Sequence, residues 1–172
     1  MIIFLIGMPA CGKTSLGKRL AKRISFNFLD LDKHLVLKEN RSIPAIFSDE
    51  GEIVFRELEA KYLREISDNS ADTVVAVGGG TPCYHNNVER MLSTGKVIYL
   101  NTSVDTLFLR LKDDIKRPLF AGLTDDAVKN KLHVLLGERE VFYLQAHYTI
   151  NTSHKSDGAI VEEIALIIGP KA

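Results

Sequence analysis

Ile2-Ile3-Phe4-Leu5-Ile6 runs directly into Gly7-Met8-Pro9-Ala10-Cys11-Gly12-Lys13-Thr14, and a helical pattern follows. Strand, glycine-bounded loop and helix, in that order, point to an α/β fold with a phosphate-binding loop. A continuous apolar run is the pattern of a parallel strand covered on both faces. The loop fits G-x-x-x-x-G-K-[ST], in which backbone N–H groups approach phosphate oxygens and the helix N-terminus adds partial positive charge. Lys13 then reaches the β/γ-phosphates and the Thr14 hydroxyl helps to hold Mg²⁺. A glycine-rich turn before an amphipathic helix satisfies the same spacing, but the flanking strand and helix favour the nucleotide site.

Downstream of the loop, Leu16, Leu20 and Ile24 recur every four residues beside Gly17 and Ala21, with Lys18, Arg19, Lys22 and Arg23 on the other side. This predicts a helix packed closely on a sheet through small residues, with a solvated basic face. A second strand is expected over 26–29, ending in Asp30-Leu31-Asp32. Residues two apart at a strand end point the same way, so both carboxylates are expected to face one crevice, one toward Mg²⁺ through water and one toward a substrate hydroxyl. The competing reading of Asp30 is a helix N-cap. From 33 to 70 the pattern is helical, interrupted near Pro44 and Gly51, with Phe55, Leu58, Tyr62 and Ile66 forming an apolar stripe. Arg56 lies three residues before Glu59, a spacing that by itself suggests an intrahelical ion pair.

Thr73-Val74-Val75-Ala76-Val77 reads as another doubly covered strand and ends in Gly78-Gly79-Gly80, which implies a tight turn, close approach to the backbone, or both. Strands are also expected over 97–100 and 148–150, with helices over 103–111, from Thr124 to about Gln145, and over 159–168. Between them, residues 112–123 lose periodicity and carry charges, Pro118 and Gly122, the signature of a functional loop. Leu132, Leu136, Arg139 and Tyr143 share one helical phase, so Arg139 needs an anionic partner, either internal or a ligand. Five strands alternating with helices indicate a doubly wound, five-stranded parallel sheet.

Whole-chain properties narrow the partners. The 172 residues suit one domain. Lys+Arg and Asp+Glu are 22 each, so there is no polybasic field to draw nucleic acid or an anionic membrane. The apolar start, 1–6, is too short for a signal peptide or a membrane span. Cys11 and Cys83 have no metal-ligand spacing and read as free thiols of a cytoplasmic protein. Guanine-reading N-K-x-D and the D-x-x-G motif are missing, which disfavours GTPases.

The combination of the phosphate loop continuing to Gly17, Asp30-Leu31-Asp32, Gly51 with Phe55-Arg56 and Glu59, Gly78-Gly79-Gly80, Arg110, Arg117-Pro118-Leu119, and Arg139 followed by Tyr143 resembles the shikimate kinases, a family of nucleoside-monophosphate-kinase-like P-loop enzymes. The resemblance covers nearly the whole chain. It implies transfer of the ATP γ-phosphoryl group to the 3-hydroxyl of shikimate, with ATP as co-substrate, Mg²⁺ as cofactor and a monomeric enzyme. It assigns Ala10, Cys11, Gly12, Lys13, Thr14 and Ser15 to the ATP phosphates, and Asp30 to the metal through water. Asp32, Arg56, Gly78, Gly79, Gly80 and Arg139 go to shikimate, and Lys13, Asp32 and Arg117 to catalysis. Both Arg110 and Arg117 go to ATP, Arg110 flanking adenine and Arg117 reaching from the lid to the transferring phosphate, with Asn151, Thr152 and Ser153 as the other wall of the adenine site. A helical substrate insertion is expected over about 33–62 and a lid over about 112–123. The chain departs from the family's habit at Ala10, where glycine is usual, at Val77, where a polar residue is common, and at Phe120, where leucine is commoner.

Overall fold

A computed structural model describes residues 1–69, 71–112 and 122–169. Among these, five parallel strands form one sheet: β1 Ile2–Ile6, β2 Asn27–Asp30, β3 Thr73–Ala76, β4 Lys96–Asn101 and β5 Tyr148–Asn151. Their order is β2-β3-β1-β4-β5. All five residues of β1 are buried, as expected of a central strand whose two faces are both covered. The helices are α1 Lys13–Ile24, α2 Leu31–Glu39, α3 Ile43–Asn69, α4 Asn87–Thr94, α5 Val104–Lys112, α6 Asp125–Tyr143 and α7 Asp157–Ile168. No helix among the described residues is long and apolar enough to cross a membrane.

Register brings the site together. Leu5 pairs with Ala76, and Ala76 with Asp30, so three strands end at one level. The phosphate loop, the aspartates and the triple glycine therefore emerge side by side at the C-terminal edge of the sheet, where open α/β sheets bind ligands. Gly17 sets how closely α1 lies on that sheet. A Cβ there would stand 2.6 Å from the Phe28 ring and 3.2 Å from Leu5. Leu16, Leu20 and Ala21 complete the buried face of α1.

Three local expectations are corrected. Strand β2 stops at Asp30, and Asp32 sits in the first turn of α2, so strand alternation does not align the two carboxylates. A helix start does, because Asp30 is the N-cap and its Oδ1 accepts the Lys33 N–H at 3.2 Å. The break expected near Pro44 falls earlier, at residues 40–42. Pro44 instead occupies the first turn of α3, where its missing N–H has no intrahelical partner to lose. Gly51 does interrupt α3, with φ 81° and ψ 179°. Helix α4 went unread in the sequence, although Val88, Met91 and Leu92 carry its apolar spacing; eight residues give a weak periodic signal.

Thr124 caps α6 as expected, its hydroxyl accepting the Ala127 N–H at 3.3 Å. The expected lid, 112–123, lies almost wholly outside the described residues.

Candidate active site

The phosphate loop wraps its own lysine. Lys13 Nζ donates to the carbonyls of Gly7 at 2.8 Å and Met8 at 2.9 Å, which holds the ammonium in the loop's concavity. Gly7 (φ 138°) and Gly12 (φ 100°) take conformations that favour glycine, and a Cβ on Gly7 would strike the Leu100 carbonyl at 2.8 Å. Ala10, at the family's usual glycine position, has φ 64° and so bears left-handed strain. Arg110 Nη1 donates to the Ala10 carbonyl at 3.3 Å, fastening α5 to the loop. Thr14 Oγ1 donates to Asp30 Oδ2 at 2.7 Å, so hydroxyl and carboxylate converge at the N-terminus of α1.

Ala10, Gly12, Lys13, Thr14, Ser15 and Arg110 line a cleft of about 440 Å³ together with Asp30, Asp32, Gly78 and Gly79. Cys11, expected at the phosphates, is wholly buried behind the loop, its N–H donating to the Met8 carbonyl at 3.3 Å.

The triple glycine serves close approach rather than backbone permissiveness, because none of its members has a positive φ. A Cβ on Gly78 would stand 2.7 Å from Glu59 Oε1 and 3.1 Å from Asp32 Oδ1; one on Gly79 would stand 3.2 Å from Arg139 Nη1; one on Gly80 would stand 2.8 Å from both Arg56 Nη atoms. Four charged side chains thus close on three consecutive residues that have no side chain to exclude them.

Burial, then the nearby charges of Glu59 and Asp30, push the Asp32 carboxyl up from 3.8 to about 6, against the pull of Lys13 and Arg56. Its Oδ1 is buried without a hydrogen-bond partner, an acceptor directed at the cleft wall. Arg56 makes the intrahelical pair its spacing suggested and a second one. Nη1 donates to Glu59 Oε2 at 2.6 Å, while Nε and Nη2 donate to Glu52 Oε1 at 3.1 and 2.9 Å. Glu59 is only 1% exposed, and its other oxygen accepts the Thr81 hydroxyl. Glu59 and Thr81 were not singled out as site residues in the sequence; the i, i+3 spacing to Arg56 was the available signal, and it also described an ordinary surface pair.

Arg139 differs from Arg56. Among the described residues, no carboxylate lies within ion-pair distance of its guanidinium. Its helix is anchored one turn on, where the buried Tyr143 hydroxyl donates to the Gly79 carbonyl at 2.6 Å and its ring packs 5.1 Å from Tyr99.

The remaining expected residues lie apart. Thr152 is buried, with its hydroxyl 2.5 Å from that of Thr102, and Ser153 Oγ accepts the Ser103 N–H at 3.0 Å. Asn151 Oδ1 accepts the Ser153 N–H at 2.9 Å. These contacts tie the loop after β5 to the one after β4, beyond the main cleft. Arg117 lies outside the described residues.

Comparison with known proteins identifies the family. The family model described as shikimate kinase covers residues 9–168. The shikimate kinase of Bacteroides thetaiotaomicron is 37% identical over 156 residues, which span 90% of this chain and 89% of that protein. That of Chlorobaculum tepidum is 38% identical over 95% of this chain and 87% of its own length. The crystal structure of shikimate kinase from Bacteroides thetaiotaomicron superposes with a TM-score of 0.92 at 34% identity, covering 98% of both chains. A shikimate complex of the Acinetobacter baumannii enzyme gives a TM-score of 0.88 at 34% identity, over 97% of this chain and 92% of that one. With a phosphate loop and an acid–arginine–glycine cluster meeting at one cleft, and similarity that runs from residue 9 to residue 168, this chain belongs to the shikimate kinase family.

Proposed function

We propose that this protein transfers the γ-phosphoryl group of ATP to the 3-hydroxyl of shikimate, giving shikimate 3-phosphate and ADP. The observation that carries the reading is the convergence of Asp32, Glu59, Arg56 and Arg139 on Gly78–Gly80, with Asp32, Gly78 and Gly79 lining the same cleft as the phosphate loop. Shikimate has one carboxylate and several hydroxyls, so it calls for guanidinium forks and for a carboxylate acceptor. Arg139, with no internal carboxylate among the described residues, supplies the net positive charge. Arg56, already shared by Glu52 and Glu59, supplies direction more than charge.

Phosphoryl transfer depends mainly on positioning and charge stabilisation. Asp32 accepts from the shikimate hydroxyls and takes the 3-hydroxyl proton as the new O–P bond forms, while the β–γ bridging oxygen leaves with ADP. The Lys13 ammonium, held on the Gly7 and Met8 carbonyls, donates to the β/γ-phosphate oxygens when ATP binds. The oxygen donors Thr14 and Asp30 suit Mg²⁺, which binds through a few protein oxygens plus water and phosphate. When bound, Mg²⁺ neutralises phosphate charge. A coupled ADP-release assay on shikimate and on gluconate tests the reading: turnover with shikimate alone is expected. Turnover on gluconate alone, or ATP binding with no transfer to shikimate, would overturn it.

A further inference from the structure

We propose that Tyr84 is a positioning residue of the acceptor half, holding the Arg56 guanidinium in the plane from which it meets the substrate carboxylate. This rests on the assignment of Arg56 to that carboxylate. The guanidinium carbon lies 4.5 Å from the centre of the Tyr84 ring, closer than its 5.2 Å to Phe55. Glu52 and Glu59 fix the edges of the guanidinium, and the backbone of Gly80 abuts its Nη end. The carboxylates hold the guanidinium by its edges, and the Tyr84 ring backs it where no hydrogen bond does.

The chain makes a tight turn directly after Tyr84. His85 (φ 52°) and Asn86 (φ 55°) are consecutive left-handed residues without being glycine, and the Asn87 N–H donates to the Tyr84 carbonyl at 2.9 Å across them. Asn and His are among the few non-glycine residues that tolerate this conformation, so the tight turn fixes where Tyr84 stands. Helix capping does not account for the turn, because Asn86 precedes α4 without making a side-chain cap bond. The turn is held from below by Asn87, whose Nδ2 donates to the Thr81 carbonyl at 2.9 Å, so the segment carrying Tyr84 is braced on the residue that also anchors Glu59. Tyr84 itself is 41% exposed, which is more than packing alone requires of a tyrosine and suits a ring whose work is on one face.

The test is steady-state kinetics on the full chain. Tyr84→Ala is expected to raise the shikimate KM about fivefold, the worth of a typical cation–aromatic contact, with kcat and the ATP KM within about twofold. Tyr84→Phe should restore the wild-type KM, because the ring and not the hydroxyl meets the guanidinium. Tyr84→Leu, which keeps the bulk without the π face, should behave like the alanine variant and serves if that variant folds poorly. In an Arg56→Gln background, Tyr84→Ala should add nothing. A wild-type shikimate KM in both Tyr84→Ala and Tyr84→Leu, with Arg56→Gln still raising it, would overturn the role of Tyr84 alone. An unchanged KM in Arg56→Gln would overturn the assignment of Arg56 on which it rests.

Discussion

Replacing Asp32 with asparagine should make the protein more stable at pH 8 while abolishing its activity. The carboxyl is pushed up to about 6 by burial and by Glu59 and Asp30, against an ordinary 3.8. Between about pH 4 and pH 6 the folded state therefore keeps a proton that the unfolded chain has already released. Stability falls as pH rises through that window and stays lowered above it. At roughly 1.4 kcal/mol per pH unit, holding the charged carboxylate in place costs about 3 kcal/mol. Asparagine resembles the protonated acid in shape and removes that cost. For a domain of this size each kcal/mol moves the melting temperature by about 2–4 °C, so the variant should melt about 6–12 °C higher at pH 8. The advantage should shrink to nothing near pH 4, where both side chains are neutral. Melting curves of the two proteins without nucleotide or metal, taken at half-unit steps from pH 4 to pH 8, measure the difference directly. An advantage that does not depend on pH, or a variant less stable than wild type at pH 8, would refute the reasoning, because each requires Asp32 to be comfortably ionised in the fold.

Arg139→Ala should leave the melting temperature within about 2 °C, since no carboxylate among the described residues is left unpaired, yet raise the shikimate KM about 10- to 100-fold by loss of charged hydrogen bonds. Arg139→Lys keeps the charge but not the fork and should fall between; an unchanged KM in both would return Arg139 to a structural role. Gly78→Ala places a methyl 2.7 Å from Glu59 Oε1 and 3.1 Å from Asp32 Oδ1, and should cost about 1–3 kcal/mol in denaturant melts along with most of the turnover. Ala10→Gly relieves a left-handed alanine (φ 64°) but loosens the unfolded chain, so a gain of at most about 1 kcal/mol is expected, with kcat within about twofold. A clear loss of stability there would mean that the Ala10 methyl makes a packing contribution larger than its strain.

The sequence by itself determined the order of the elements. A chain written as apolar runs alternating with amphipathic ones buries its strands best in a parallel sheet covered on both faces, and the strand and helix around the loop before α1 favour a phosphate ligand. That much is local: periodicity, glycine spacing and the Lys13-Thr14 pair are readable within a dozen residues. Of the two readings of Asp30, the helix cap is seen directly, since its Oδ1 accepts the Lys33 N–H, while its Oδ2 accepts the Thr14 hydroxyl. The alignment of Asp32 was expected for a reason that the helix start replaced.

Which charges meet depends on the packed fold. Glu59 looked like one half of a surface ion pair because its i, i+3 partner was visible and its burial was not. Nothing near Tyr84 in the sequence announces Arg56, 28 positions away. Side chains on α3, α6 and the turn after β3 come into contact because strand register brings β2, β3 and β1 to one level, and three glycines leave room for the charges to close in. Elements follow from short-range pattern, whereas a site depends on long-range packing: the energy of bringing Asp32, Glu59, Arg56 and Arg139 onto one piece of backbone exists only once the sheet has formed.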